Sequence, residues 1–198
     1  MKIYGDRQSG NCYKVQLMCD LLGLQYQWID IDILAGDTNN AEFLAKNPLG
    51  KIPLLELDDG RCLSESNAII NYLAFGSEYL PDTPYELAKV QQWQFFEQYS
   101  HEPFIAVARF INKYLGLPED KKQEYLAKQV GGHKALKTME VTLQHNRFLT
   151  GAQATAADVC LYAYTHVAHE GGFDLTQYPA IQNWLVNVSG LKGFTAMV

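Results

Sequence analysis

The chain has 198 residues, 47% of them hydrophobic and 19% charged, with a formal net charge of −6. That length fits one large domain or two small ones, and its interspersed acids and bases make nucleic acid and anionic membranes poor partners. No apolar run approaches the roughly 20 residues that span a bilayer, and Met1-Lys-Ile-Tyr opens as a strand rather than a signal peptide, so a cytoplasmic protein is expected.

In chain order, residues 2–5 read as a short strand. Residues 12–22 read as a helix with Val15, Met18, Leu21 and Leu22 on one face and Gly23 as its stop. Residues 26–33 alternate as a strand does, and 40–46 form a short helix ended before Pro48. Residues 52–57 and 61–63 make a hairpin across Asp58-Asp59-Gly60, and 65–75 a further helix. The order β-α-β-α-β-β-α predicts a mixed sheet with helices on its faces. Breaker residues then mark a linker at 77–84, dividing a first domain, 1–76, from a second, 85–198. The second shows no strand pattern and reads as all-α. A long aromatic-rich helix over 85–114 should bend near Pro103. Pro118 opens a helix running toward Asn146, with a break expected at Gly131-Gly132. Thr155-Ala-Ala-Asp158 is a capping box that starts a buried helix, and a last helix covers about 176–188.

Ile52-Pro53 sits where the third strand begins. A proline there gives up a ladder donor, and the peptide bond before it is a candidate for the cis isomer. The Ile52 backbone is then available to an extended ligand. Glu65-Ser66 starts a helix, where backbone N–H groups attract a carboxylate. An extended edge beside an anion pocket suggests a small peptide ligand.

Cys12, Cys19, Cys62 and Cys160 form no C-x-x-C pair, so neither a zinc site nor a two-cysteine redox motif is expected, and no metal is implied. Cys12 stands apart, because it lies near a helix N-terminus, where thiol pKa values fall. His101-Glu102 would need a histidine at 105 to make H-E-x-x-H, and the residue there is Ile105. No phosphate-binding loop of the Walker type and no G-x-S-x-G is present.

Three segments in register carry a resemblance. Asn47-Pro-Leu-Gly-Lys-Ile-Pro-Leu-Leu is similar to the cis-proline motif of the cytosolic glutathione transferases. Glu65-Ser66-Asn67-Ala68-Ile69 resembles their ESxAI stretch, and the segment from Phe148 to Asp158 resembles their capping segment. The likeness covers nearly the whole chain, in a serine-type register. It implies an N-terminal thioredoxin-like mixed sheet followed by an all-helical domain, glutathione as co-substrate, a small electrophile as second substrate, and a homodimer. It also implies site residues. Counting back from Val15 puts the thiol-activating residue at Ser9, with Asn11 as an auxiliary donor and Cys12 as the rival. Ile52 and Pro53 would present the backbone edge, Lys51 would face the glycine carboxylate, and Thr38 or Asn39 would add a polar contact. Glu65 and Ser66 would hold the γ-glutamyl end. Tyr99, His101 and Arg109 are candidates for the electrophile site or for contacts across a subunit boundary. Ser9 also has a plain structural reading as a helix N-cap. Glutathione-dependent isomerisation, dehalogenation or reduction on the same scaffold, and a non-enzymatic binding module, remain open alternatives.

Overall fold

The structure, a computed structural model, describes residues 1–197. The chain forms two compact units, one of residues 1–77 together with Leu191 onward, the other Glu78–Gly190.

In the first unit, β1 (Lys2–Gly5), β2 (Gln27–Asp30), β3 (Leu54–Glu56) and β4 (Cys62–Leu63) lie in the order β2-β1-β3-β4. The β1–β2 pair is parallel, as a helical crossover requires, and the other two pairs are antiparallel. α1 (Gly10–Leu21) makes that crossover, α2 (Ala41–Lys46) precedes β3, and α3 (Ser66–Ala74) follows β4. The strands are shorter than their alternation suggests, because pairing stops where the turns begin. Asn40 caps α2 by accepting the Phe43 N–H at 2.8 Å.

α1 is the pillar of this unit, buried from Gly10 through Cys19 except at half-buried Asn11. A Cβ on Gly5 would stand 2.9 Å from Cys12 Sγ, so β1 and α1 approach as closely as glycine allows. On another side, the Tyr13 hydroxyl donates to the Thr195 carbonyl at 2.7 Å, and Gly193 lies against the Asp20 backbone. Covered on several sides, α1 has no polar stripe, and Lys14 and Gln16 are buried with the apolar residues.

The second unit is helical. α4 (Pro84–Phe96), capped by Thr83, continues through a π-helical turn at Glu97–His101 into α5 (Glu102–Arg109) and a second such turn at Phe110–Tyr114. The path expected as one long helix is thus continuous. The irregular turn falls just before Pro103, whose missing N–H and bulky ring disturb the ladder one turn earlier. The break expected at Gly131-Gly132 does not occur: α6 (Lys122–Leu143) runs straight through. Cβ atoms there would meet the Phe104 ring at 2.1 Å and the Phe173 ring at 2.3 Å, so the glycines make room for aromatic side chains.

α7 (Ala156–Thr165) is wholly buried, and α8 (Pro179–Ser189) packs in the same core. The Thr155–Asp158 capping box is present. Asp158 also accepts the Leu149 N–H at 2.9 Å and the Trp184 Nε1–H at 2.8 Å, tying loop, cap and α8 to one carboxyl. Burial pushes that carboxyl up to about 6 against the pull of its donors. No helix among the described residues is long and apolar enough to cross a membrane.

Candidate active site

Ser9 stands at the β1–α1 turn. Its backbone is extended (φ −78°, ψ 121°) and its carbonyl accepts the Tyr13 N–H at 2.9 Å, so by position it is the N-cap. Its hydroxyl makes no cap hydrogen bond. It is engaged instead with the Cys12 thiol, one helical turn away.

Cys12 itself faces inward. It is fully buried, and desolvation pushes its thiol up to about 12 even though the Ser9 hydroxyl pulls the other way. The helix N-terminus does not overcome that burial. Burial and a raised thiol both count against Cys12 as the rival nucleophile.

One turn along α1, the Lys14 Nζ donates to Asn11 Oδ1 at 2.8 Å and lies 3.4 Å from Ser66 Oγ, while the Ser66 hydroxyl donates to the same Asn11 oxygen at 3.1 Å. This cluster ties the first turn of α1 to the first turn of α3. Ser66 is buried at the head of α3 with the helix's unpaired N–H groups around it. Glu65 precedes it, exposed, at φ 67° and ψ 111°. A side chain held at positive φ costs on the order of 1–3 kcal/mol, and here it sits where a ligand's charged end is expected.

The Ile52–Pro53 peptide is cis. Ile52 lies ahead of the β3 ladder, whose first pair on β1 is Leu54 with Tyr4, and Lys51 beside it is exposed. Asn47, almost fully buried, braces the preceding loop: its Nδ2 donates to the Lys51 carbonyl at 2.7 Å and its Oδ1 accepts the Leu49 N–H at 3.2 Å. Thr38 is buried in a short 3-10 turn, and its carbonyl stands against Gly50 of the same loop. Ser9, Asn11, Thr38, Lys51, Ile52, Pro53, Glu65 and Ser66 therefore all belong to the turns of the first unit. Sequence reasoning assigned no role to Lys14 or Asn47. A charged residue within an otherwise apolar helix, and an asparagine two places before a glycine-bearing turn, were the available signals.

The three candidates of the second unit differ in their surroundings. Tyr99 is 80% exposed. His101 is fully buried, with Nε2 2.9 Å from Thr165 Oγ1. Arg109 is buried and its Nε donates to Glu170 Oε2 at 2.5 Å, with Lys113 on the other carboxylate oxygen. Of the three candidates for the electrophile site or for contacts across a subunit boundary, His101 and Arg109 thus each have a hydrogen-bond partner within the helical unit, and Tyr99 is exposed. Among the described residues no cluster of metal-ligating side chains occurs.

A four-stranded mixed sheet with a cis-proline ahead of β3, a serine at the head of α1 and another at the head of α3 defines a thioredoxin-like ligand-binding unit followed by a helical one. Comparison with known proteins gives that class a family. Residues 3–75 match the glutathione S-transferase N-terminal domain and residues 93–192 the C-terminal domain. A glutathione S-transferase structure from Pseudomonas fluorescens Pf-5 is 58% identical, covers 100% of this chain and 98% of its own, and superposes with a TM-score of 0.99. Maleylacetoacetate isomerase from Methylobacterium extorquens AM1, solved with bound malonate and glutathione, is 29% identical over 98% of this chain and 94% of its own, with a TM-score of 0.81. Elongation factor 1-gamma of Drosophila melanogaster is 31% identical over 99% of this chain, which spans only 45% of that protein. The chain belongs to the glutathione S-transferase family.

Proposed function

We propose that the protein is a glutathione transferase that binds glutathione on its first unit and activates the thiol through the Ser9 hydroxyl. The observation that carries this reading is the state of Ser9. It occupies the N-cap position, yet its hydroxyl is turned from the helix N–H groups onto a sulfur. A thiol kept neutral by burial is only a weak acceptor for the Ser9 hydroxyl, so the serine O–H is readily given up to a second sulfur arriving from solvent. That second sulfur gains most as a thiolate, because hydrogen bonds to charged acceptors are roughly twice as strong as neutral ones. One such bond contributes about 1.5–3 kcal/mol, equivalent to lowering a thiol pKa from about 8.5 by roughly one to two units. The thiol proton leaves to solvent, and the thiolate forms a carbon–sulfur bond with a small electrophile as its leaving group departs.

The other contacts are those that the family likeness implies. The Ile52 backbone before cis-Pro53 takes the cysteinyl portion, Lys51 the glycine carboxylate, with Thr38 behind the same loop. Glu65 and Ser66 take the γ-glutamyl ammonium and carboxylate. A cytoplasmic homodimer fits the reading. Exposed Tyr72 and Phe75 of the first unit and Tyr85, Phe95 and Tyr99 of the second support association, and a monomeric mass at micromolar concentration would count against it. A second reading, glutathione-dependent isomerisation, is favoured by the likeness to maleylacetoacetate isomerase. It uses the same thiolate and differs only in the second substrate.

The test is the pH titration of enzyme-bound glutathione, following thiolate absorbance in the ultraviolet, for the wild type and Ser9→Ala. A bound-thiol pKa well below 8.5 that returns toward the free value in the variant is the expected result. Binding without a pKa drop would remove Ser9 from the chemistry. Absence of binding would leave a non-enzymatic binding module.

A further inference from the structure

α2 is six residues long, too short to hold its shape alone, and two of its side chains seat it on the sheet. Phe43 is buried and meets the Tyr4 ring edge-on, with centroids 6.3 Å apart. Lys46, three places further and so on the same face, has its ammonium 4.8 Å from the centre of that ring. The ammonium donates to the Tyr4 hydroxyl at 2.7 Å and to Glu56 Oε2 at 2.5 Å. The Tyr4 hydroxyl donates to the same Glu56 oxygen at 2.8 Å, and Lys2 donates to Oε1 at 3.0 Å.

These bonds are not equivalent. β1 and β3 are already paired by their ladder, so Lys2 and Tyr4 reach Glu56 across strands that the backbone holds together anyway. The Lys46 contact adds a connection the sheet does not make. It joins the end of α2 to β3, ten positions along the chain, and so closes the segment between them, which carries Lys51, Ile52 and cis-Pro53. That segment lies on α2, since a Cβ at Gly50 would stand 3.5 Å from the Leu44 side chain. Asn47 passes the position of the helix end onward. Its N–H donates to the Phe43 carbonyl at 2.8 Å, and its Nδ2 donates to the Lys51 carbonyl at 2.7 Å. Ile52 follows directly, and among the described residues neither its N–H nor its carbonyl has a backbone partner. Both ends of the ion pair stay charged: Glu56 and then Tyr4 hold the Lys46 ammonium above the usual lysine range, and Lys46, Tyr4 and Lys2 hold the Glu56 carboxyl down. A pair this near the surface adds little to the stability of the whole fold. Its effect is on the segment it closes.

We propose that Lys46 is a positioning residue for the glycyl-cysteinyl half of glutathione: by clasping the end of α2 to Tyr4 and Glu56 it closes the Asn47–Pro53 segment and, through Asn47, sets the Ile52 backbone edge before the ligand arrives. This rests on the reading of the site as a glutathione site. It assigns Lys46 no contact with the ligand. Opening the clasp lowers the fraction of molecules whose edge is ready to pair, and apparent affinity falls with that fraction. The thiol end of the site, at the head of α1, is left as it was.

The experiment measures the dissociation constant of glutathione and the pKa of its bound thiol on the wild type, Lys46→Met, Glu56→Gln and the double variant. Amide hydrogen exchange over residues 47–52 of the ligand-free proteins is followed alongside. Lys46→Met should bind glutathione roughly fivefold more weakly, the size expected of a partly exposed charge network. Its bound-thiol pKa should not move, and its 47–52 amides should exchange faster. Glu56→Gln should weaken binding in the same direction, and the double variant should be little weaker than Lys46→Met alone, because both changes open one clasp. An unchanged dissociation constant in Lys46→Met, whatever its melting temperature, would overturn the assignment and leave the proposed function intact. So would tighter binding in Glu56→Gln, which is what a lysine freed to touch the ligand itself would give. A shift in bound-thiol pKa equal to the loss of affinity would place Lys46 in thiol activation and overturn its role at the other end. Failure of the wild type itself to bind glutathione would bring down both this assignment and the function on which it rests.

Discussion

Asp158→Ala should unfold the second unit at markedly lower denaturant, and the structure says by how much. Asp158 Oδ1 accepts the Leu149 N–H at 2.9 Å and the Trp184 Nε1–H at 2.8 Å, and Oδ2 accepts the Thr155 N–H at 2.9 Å. Leu149, Thr155 and Trp184 are themselves buried, so truncation leaves three donors away from water. Each such orphan costs about 1–3 kcal/mol. Their sum is an upper bound, because water can enter the space the carboxylate leaves, and alanine regains a few tenths through helix propensity. A loss of about 4 kcal/mol is expected. Asp158→Asn keeps an oxygen toward Leu149 and Trp184 but sets an amide N–H against the Thr155 N–H, and should cost about half as much. Urea unfolding of wild type, Asn and Ala forms, followed by tryptophan fluorescence, gives the three midpoints in order. If alanine were no worse than asparagine, or if either cost less than about 1 kcal/mol, the hydrogen bonds would not be what this carboxyl contributes.

Native-state titration with an aromatic disulfide reagent should modify Cys62 alone on the fast timescale, with the other three reacting after denaturation, since Cys12, Cys19 and Cys160 are fully buried and Cys62 is not. Fast modification of Cys12 would contradict its thiol being pushed up to about 12. Hydrogen bonds from Lys46, Tyr4 and Lys2 hold the Glu56 carboxyl down to about 2. Because the folded value lies below the unfolded one, this group stabilises the protein above about pH 4.5 and loses that contribution as pH falls toward 2. Solvent contact keeps it to about 1 kcal/mol, so Glu56→Gln should lower the midpoint at pH 7 and much less at pH 3. Gly132→Ala drives a methyl into the Phe173 ring, which is fully buried, and should cost about 1–3 kcal/mol net of helix propensity. Gly131→Ala meets the half-buried Phe104, which can turn aside, and should cost less. Equal melting temperatures for the two variants would refute the distinction.

The architecture was legible because its signals are local. Alternation, turn residues at Asp58-Asp59-Gly60, prolines at 53 and 84 and the Thr155–Asp158 box each speak for the few residues beside them. The site's turns were legible for the same reason. What could not be read depended on what covers a residue from elsewhere. α1 is enclosed by β1, by α3 and by the stretch around Thr195, so the sequence around Cys12 suggested a reactive thiol at a helix start and gave no sign of its burial. The internal partners of His101 and Arg109 could not be read either, because Thr165 and Glu170 lie more than sixty positions away. Gly131-Gly132 resembled a helix break because the two phenylalanine rings that fill the space are remote in sequence.

The return of Leu191 onward to the first unit makes that unit discontinuous along the chain. The helical unit is, in this sense, an insertion between a sheet domain and the last strip of its own covering. A fragment cut at Ser77 would carry every residue of the proposed thiol site and still lack the Thr195 carbonyl that receives the Tyr13 hydroxyl, together with the glycine pressed against Asp20. Tyr13 neighbours Cys12 and Lys14, so what that fragment would lose lies directly behind the serine and asparagine at the head of α1. Dissection at the apparent domain boundary would therefore alter the site from its unseen side.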